Sequence, residues 1–333
     1  MNTVQKNEAE ELHSPVLLTE VVQFLAPERG DGLFIPKPNG LFIDATLGLG
    51  GHAEALLEKS ATARVIGIDQ DTEAIAYAKE RLERFGDRFQ IFHSNFSQLK
   101  DIWQQSGAEK PNGILADLGV SSLQFDSAER GFSFRYDAPL DMRMNAAADD
   151  DADDTETAAE LLQRLSEEEI ANVIYQYGEE RFSRRIARWI VERRERGEPI
   201  ETTKELADLV SRAVKKSKHD QIHPATRTFQ ALRIAVNKEL EILADFISDA
   251  IDILDITGRL AIISFHSLED RIVKQTFQKL AGKCSCPPRL PGCICGAEKK
   301  VEILTKRPVV PGAEEMADNP RARSAKLRVC SKL

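Results

Sequence analysis

The chain has 333 residues, a length that suits two domains of roughly 100–200 residues or one domain with a large insertion. With 42% hydrophobic and 30% charged residues, it is too mixed in character for a collagen-like, coiled-coil or wholly disordered protein, and it can bury a core without disulfides or metal. The net charge of −9 conceals an acidic run at Asp149–Asp154 and basic clusters at Arg181–Arg196, Lys215–Lys218 and Arg321–Arg328, and nucleic-acid binding follows such patches more than the total. No apolar run approaches the roughly 18–20 residues that span a membrane. Met1–Glu11 is polar and lacks an apolar signal core. These features predict a cytoplasmic protein with no membrane partner.

Leu41–Ala45 and Val65–Asp69 are short apolar runs with strand character, Gln90–Phe96 alternates, and Ile114–Leu118 is a fourth strand. Ala53, Leu56 and Leu57 form a helical face after the first strand. Ala74, Ile75, Ala78 and Leu82 form one after the second. Strands alternating with helices predict a parallel sheet of βαβ units. Beyond Leu118 the alternation stops. Thr157 with Glu160, Ser166 with Glu169 and Thr202 with Glu205 have capping-box spacing before apolar stripes. No strand pattern occurs between 122 and 224, so this stretch reads as an all-helical insertion. One long helix is predicted from Thr226 to Leu254, stopped by Gly258. A fifth strand follows at Arg259–Phe265. Val301–Thr305 and Ala325–Cys330 are further strands, the last at an edge.

The first strand runs into Asp44-Ala45-Thr46-Leu47-Gly48-Leu49-Gly50-Gly51-His52 before a helix. Such glycines let the backbone approach a ligand, and the amides of the helix start can face it. Asp69 ends the second strand about 20 residues further on, where an acid binds ribose hydroxyls. Loop and acid together favour a nucleoside cofactor over a bare turn with a helix-capping acid. A dinucleotide and S-adenosylmethionine both fit this pattern. Asp117, at the end of the fourth strand, would face the same crevice or cap a helix. Three denser blocks, Arg130–Arg135 leading into Leu140–Met144, His223–Arg233 and Ser264–Arg271, mix arginine, aromatic and small polar residues. That mixture suits phosphates and unstacked bases as well as a buried salt-bridged junction.

Over nearly the full length, the sequence resembles the bacterial 16S rRNA (cytosine-N4)-methyltransferase family. The matching stretches are His13–Leu18, Gly50–His52, Asp117–Ser122, Arg130–Phe134, Leu140–Met144, Tyr177–Glu180, His223–Arg233, Ser264–Lys274 and Asn319–Arg328. The resemblance implies an α/β protein, an S-adenosylmethionine-dependent methyltransferase Rossmann-like sheet with an inserted all-helical domain. Residues 1–121 and 225–333 would form the methyltransferase domain, and 122–224 the insertion that recognises RNA. It further implies methyl transfer from S-adenosylmethionine to the exocyclic N4 of a cytidine in 16S rRNA near the decoding centre, with 16S rRNA or the small ribosomal subunit as partner.

Residue by residue, the resemblance places Gly50, Gly51 and His52 against the cofactor and Asp69 on its ribose. Phe96 would lie by the adenine, unless it is simple core packing, and Asp117 and Gln124 would complete the pocket. His13 belongs to an N-terminal motif near the site. Cytosine N4 is a poor nucleophile because its lone pair is delocalised into the ring, so an acceptor must localise that pair and align it with the methyl group. Asp117 is the first candidate, with His266 and Glu269 behind it. The Asn/Asp-Pro-Pro-Tyr tetrad of many amino-methyltransferases is absent. Carbon-5 methylation would need a cysteine nucleophile, and none precedes Cys284. Arg321, Arg323, Lys326 and Arg328 are candidates for RNA phosphate contact. Cys284, Cys286, Cys293 and Cys295 offer four thiolates to zinc, although C-x-C spacing favours free loop thiols. Cys330 reads as buried packing. Two competing functions are a nicotinamide-dependent oxidoreductase and a non-catalytic RNA-binding assembly factor.

Overall fold

The computed structural model describes residues 15–27, 40–127, 129–145, 156–214, 222–284, 286, 294 and 296–333. The expectations for His13, Asp149–Asp154, Lys215–Lys218, Cys293 and Cys295 lie outside these residues. In chain order the first elements are α1 (Leu18–Leu25), β1 (Leu41–Asp44), α2 (Gly51–Lys59), β2 (Arg64–Asp69), α3 (Thr72–Leu82), β3 (Phe89–His93), α4 (Leu99–Ser106) and β4 (Gly113–Asp117). Six helices follow: α5 (Ser122–Asp126), α6 (Ala158–Arg164), α7 (Glu167–Gly178), α8 (Ser183–Glu195), α9 (Thr203–Ala213) and α10 (Thr226–Asn237). The chain continues with α11 (Leu243–Ile253), β5 (Arg259–Ser264), α12 (Ser267–Leu280), β6 (Val301–Ile303), α13 (Ala313–Asp318) and β7 (Lys326–Lys332). Its contacts divide it into two units, one of Met1–Gly119 with Ile242–Leu333 and one of Val120–Glu241. Among the described residues no helix is long and apolar enough to cross a membrane.

The first unit is a seven-stranded Rossmann-like sheet in the order β3-β2-β1-β4-β5-β7-β6. β1 to β5 are parallel, and β7 runs antiparallel to both β5 and β6. The central strands β1, β2, β4 and β5 are apolar on both faces, because helices cover both. Ile43, Ile66, Ile114 and Ile262 face one core with Phe246, Ile247 and Ile251 of α11. Phe42, Val65, Leu115 and Ile263 face the other with Val21, Leu25, Leu56, Leu57 and Leu82. This alternation is the two-residue period of a strand, and it sets the register of the sheet. The strand order reverses between β1 and β4, which places a ligand crevice at the carboxyl ends of the strands.

Two expectations about the elements are corrected. The last strand is not an edge: β7 lies between β5 and β6, with Leu327 and Val329 in one core and Cys330 in the other. The predicted helix 226–254 is two helices. Lys238 ends α10 with φ 51°, and Asn237 beside it is held by remote backbone. The Asn237 side chain donates to the Met142 carbonyl (2.8 Å) and accepts from the Met144 amide (2.8 Å). No glycine or proline marks this break, so the apolar period reads straight across it.

The second unit is helical. All three predicted capping boxes form, at Thr157, Ser166 and Thr202. Leu161, Leu162, Ile170, Ile174, Ile186, Ile190, Leu206 and Val210 build its core. Phe229, Leu232 and Val236 of α10 join that core. The boundary expected at 224 therefore falls at 241, and the one expected at 121 falls at 119.

Candidate active site

Three strands of the first unit end in aspartate: β1 at Asp44, β2 at Asp69 and β4 at Asp117. Asp44 is 1% exposed. Its Oδ1 accepts from the Thr46 amide (3.3 Å), whereas the buried Oδ2 has no partner among the described residues. On the adjacent strand the Asp117 amide donates to Thr46 Oγ1 (2.6 Å). The Asp117 side chain keeps 24% exposure, yet its Oδ1 is buried and has no partner among the described residues. Burial pushes the Asp44 carboxyl up to about 7, and repulsion from Asp69 adds to this against the Thr46 amide. Burial, with repulsion from Asp44 and Glu269, holds the Asp117 carboxyl well above the usual range. A buried acceptor without a donor is costly, and this corner can accept a cation or a hydrogen-bond donor.

Asp69 is differently placed. Its Oδ2 accepts from the Gly48 amide (2.7 Å) and its Oδ1 from the Asp71 amide (2.9 Å). Each carboxylate oxygen retains capacity for another donor. Burial raises its pKa, against those two amides. The alternative role of helix cap belongs to Asp71, which accepts from the Glu73 and Ala74 amides at the start of α3.

The glycine loop is less a bare ligand cradle than its sequence suggests. Gly50 has φ 78°, and a Cβ there would lie 3.0 Å from Leu82 Cδ1 and 3.4 Å from Ala78 Cβ. A Cβ on Gly51 would overlap Pro15 Cγ at 2.3 Å. Both positions are closed by protein, so a side chain at Gly50 would press on α3 and not into ligand space. At Gly48 a Cβ would meet nothing closer than 4.0 Å, which is the open side of the loop. His52 is buried: its Nε2 lies 3.0 Å from the Val16 carbonyl and its Nδ1 4.0 Å from Asp117 Oδ2. Bonding inside α2 begins with the Glu54 amide to the Gly50 carbonyl (2.8 Å), so the amides of Gly51, His52 and Ala53 precede the helical ladder.

The remaining candidates divide. Phe96 is half-buried, with its ring edge-to-face on Phe246 at 5.0 Å. His266 and Glu269 form a capping box at the start of α12. Glu269 is 2% exposed, and its Oε2 accepts from the Phe265 (2.8 Å) and His266 (3.2 Å) amides. That pair thus shapes the turn after β5; the spacing was readable, but histidine is not among the usual capping residues. Gln124 lies in the second unit, where it closes a capping box with Ser121 and its Nε2 donates to the Met144 carbonyl (3.4 Å). Arg328 is buried, its Nε 2.7 Å from Asp270 Oδ1 of α12; it ties β7 to that helix and leaves the set of phosphate contacts. Lys326 sits 3.5 Å from the same carboxylate. Arg323 is exposed and Arg321 half-buried. Cys284 is exposed, and its Sγ accepts from the Cys286 amide (3.4 Å). A four-thiolate site would need Cys293 and Cys295, outside the described residues. Asp44 was missed by sequence reasoning, although an acid ending the strand before a glycine loop was the available signal.

Comparison with known proteins places this crevice in context. The model of the MraW methylase family matches residues 10–333. A ribosomal RNA small subunit methyltransferase H of Trichlorobacter lovleyi is 50% identical over 323 residues, covering 96% of this chain and 98% of that protein. The proteins of the same name from Geobacter sulfurreducens and Fusobacterium nucleatum are 49% and 47% identical, each over 96% of this chain and over 99% and 97% of their own lengths. A match across almost the whole chain, sheet and helical unit alike, means that this protein belongs to the MraW methylase family.

Proposed function

We propose that this chain transfers a methyl group from S-adenosylmethionine to N4 of a cytidine in 16S rRNA, acting on the rRNA or on the small ribosomal subunit. The observation that carries the reading is the pair of partnerless buried oxygens, Asp44 Oδ2 and Asp117 Oδ1, at the strand ends of a methylase-family sheet. Asp44 suits a cationic group of the cofactor, and Asp117 a donor on the nucleobase beside it. Family membership sets aside the nicotinamide oxidoreductase and the non-catalytic assembly factor. S-adenosylmethionine, when bound, supplies an electrophilic methyl group.

The chain's own residues would do the rest. Asp69 has spare acceptor capacity for ribose hydroxyls, beside the open flank of Gly48. The backbone amides of the first turn of α2 point along the positive end of the helix, which suits a carboxylate. Asp44, deeper in the crevice, favours a cationic group. Asp117, partly exposed, would accept a hydrogen bond from the N4 amino group, localise its lone pair and receive the proton. A carboxylate made more basic by burial is better matched to that task near neutral pH. The exposed Arg184 and Arg188 of α8, with Arg323 near the C-terminus, are candidates for phosphate contact. The second unit is accordingly read as the part that recognises RNA.

Nucleoside mass spectrometry of 16S rRNA tests this reading directly. N4-methylcytidine should fall in a strain lacking the gene and return with the parent chain; an unchanged content would refute the assignment. The ribose contact is tested separately. Asp69→Ala should weaken S-adenosylmethionine binding about tenfold to a hundredfold, the loss of a charge-assisted hydrogen bond. Calorimetric affinity equal to the parent's would remove Asp69 from the site.

A further inference from the structure

We propose that His223, backed by Phe134, is a stacking platform for one unpaired base of the RNA substrate, with Arg135 and Arg227 holding the flanking phosphates. That the ligand is RNA rests on the function proposed above; that the platform exists rests on the second unit's own geometry.

Three rings form a graded series there. Phe229 of α10 is buried in the helical core. Phe134 is half-buried and meets Phe229 edge-to-face, with centroids 5.0 Å apart and planes at 72°. His223 is exposed and lies over Phe134 at 4.6 Å, only 30° from parallel. The imidazole is also fixed in rotation, because its Nδ1 accepts from the Ala225 amide (3.2 Å). An exposed ring that is pre-oriented by a hydrogen bond and supported from behind by a second ring contributes little to the core. It does offer a flat face at little ordering cost.

The surroundings select the ligand. Arg135 follows Phe134 directly and is exposed, its guanidinium 5.5 Å from the centroid of the Phe125 ring. Arg227, one turn into α10 from His223, keeps 47% of its side chain exposed and lies 3.9 Å from Glu180. Glu180 is buried and accepts from the Phe182 amide. Tyr136, 54% exposed, adds a further aromatic surface. Flat rings flanked by exposed arginines match an unpaired nucleotide, whose base stacks while its phosphates meet the cations. Both aromatic blocks singled out in the sequence, Arg130–Arg135 and His223–Arg233, contribute to this one surface.

The test uses the full chain with His223→Ala and His223→Phe. Binding of a fluorescently labelled single-stranded RNA is read by anisotropy, and methylation by transfer from tritiated S-adenosylmethionine to small subunits of the deletion strain. Loss of one base stack predicts at least a fivefold fall in RNA affinity for His223→Ala, with a matching rise in KM. His223→Phe should recover most of it, and calorimetric S-adenosylmethionine affinity should stay at the parental value in both. RNA binding by His223→Ala equal to the parent's would overturn the platform, as would a failure of phenylalanine to rescue. A parent chain that binds RNA through His223 but never methylates it would sink the proposed reaction and leave the platform standing. A parent chain that binds no RNA would sink both.

Discussion

Replacing Asp117 with asparagine is expected to lower kcat for rRNA methylation by about a hundredfold to ten-thousandfold, the range for removal of a positioned proton acceptor. The variant should remain folded. Its buried Oδ1 has no donor among the described residues, so the isosteric amide removes a desolvated charge and breaks no hydrogen bond to that atom. The pH profile carries a further signature. Asp117 must be ionised to accept, and burial raises its pKa well above 3.8. The ionised fraction, and with it kcat/KM, should therefore decline as pH falls through that raised value, well before an ordinary aspartate would titrate. The residual activity of the asparagine variant should lack this acid limb. A variant with parental kcat, or one that keeps the acid limb unchanged, would assign the proton acceptor elsewhere.

Gly131→Ala should be the most damaging methyl addition in the second unit, costing about 2–4 kcal/mol. The backbone there has φ +70°, where an L side chain is strained by about 1 kcal/mol. A Cβ would also stand 2.5 Å from the Pro139 carbonyl oxygen and 2.7 Å from the Asp141 amide nitrogen, and overpacking of this kind adds about 1–3 kcal/mol. Neither neighbour can yield easily. The Met142 amide donates to the Arg130 carbonyl (3.1 Å), and Arg130 Nη2 donates to the Met144 carbonyl (2.9 Å). Asn237 holds the same loop from α10. The two tryptophans, Trp103 and Trp189, lie one in each unit. Urea unfolding followed by fluorescence in a Trp103→Phe background would therefore report on the helical unit. An unchanged midpoint would mean that the 139–142 loop yields at no cost.

Much of the architecture is local information and was legible as such. The apolar runs of β1, β2, β4 and β5, the three capping boxes and the interval from glycine loop to Asp69 are each set by residues within a few positions of one another, or by repetition of a period. The family resemblance, carried by ordered blocks, pointed to the chemistry. What the sequence left undecided were the properties that depend on which remote segments meet. Asp44 and Arg328 are both charged strand residues, yet one is buried with an oxygen that has no donor among the described residues and the other faces Asp270. Gly50 reads as a ligand glycine, but its free side is filled by Leu82 and Ala78 of the next helix. The break at Lys238 follows from Asn237 reaching backbone near Met142 and Met144, about 95 residues earlier in the chain. His223 and Phe134, in blocks far apart in sequence, become one stack only because α10 packs into the helical core. Periodicity and spacing determine which elements form. Burial and charge pairing are set by long-range contacts, and so only the tertiary structure decided which of the candidate residues are buried, which are paired and which keep an open acceptor.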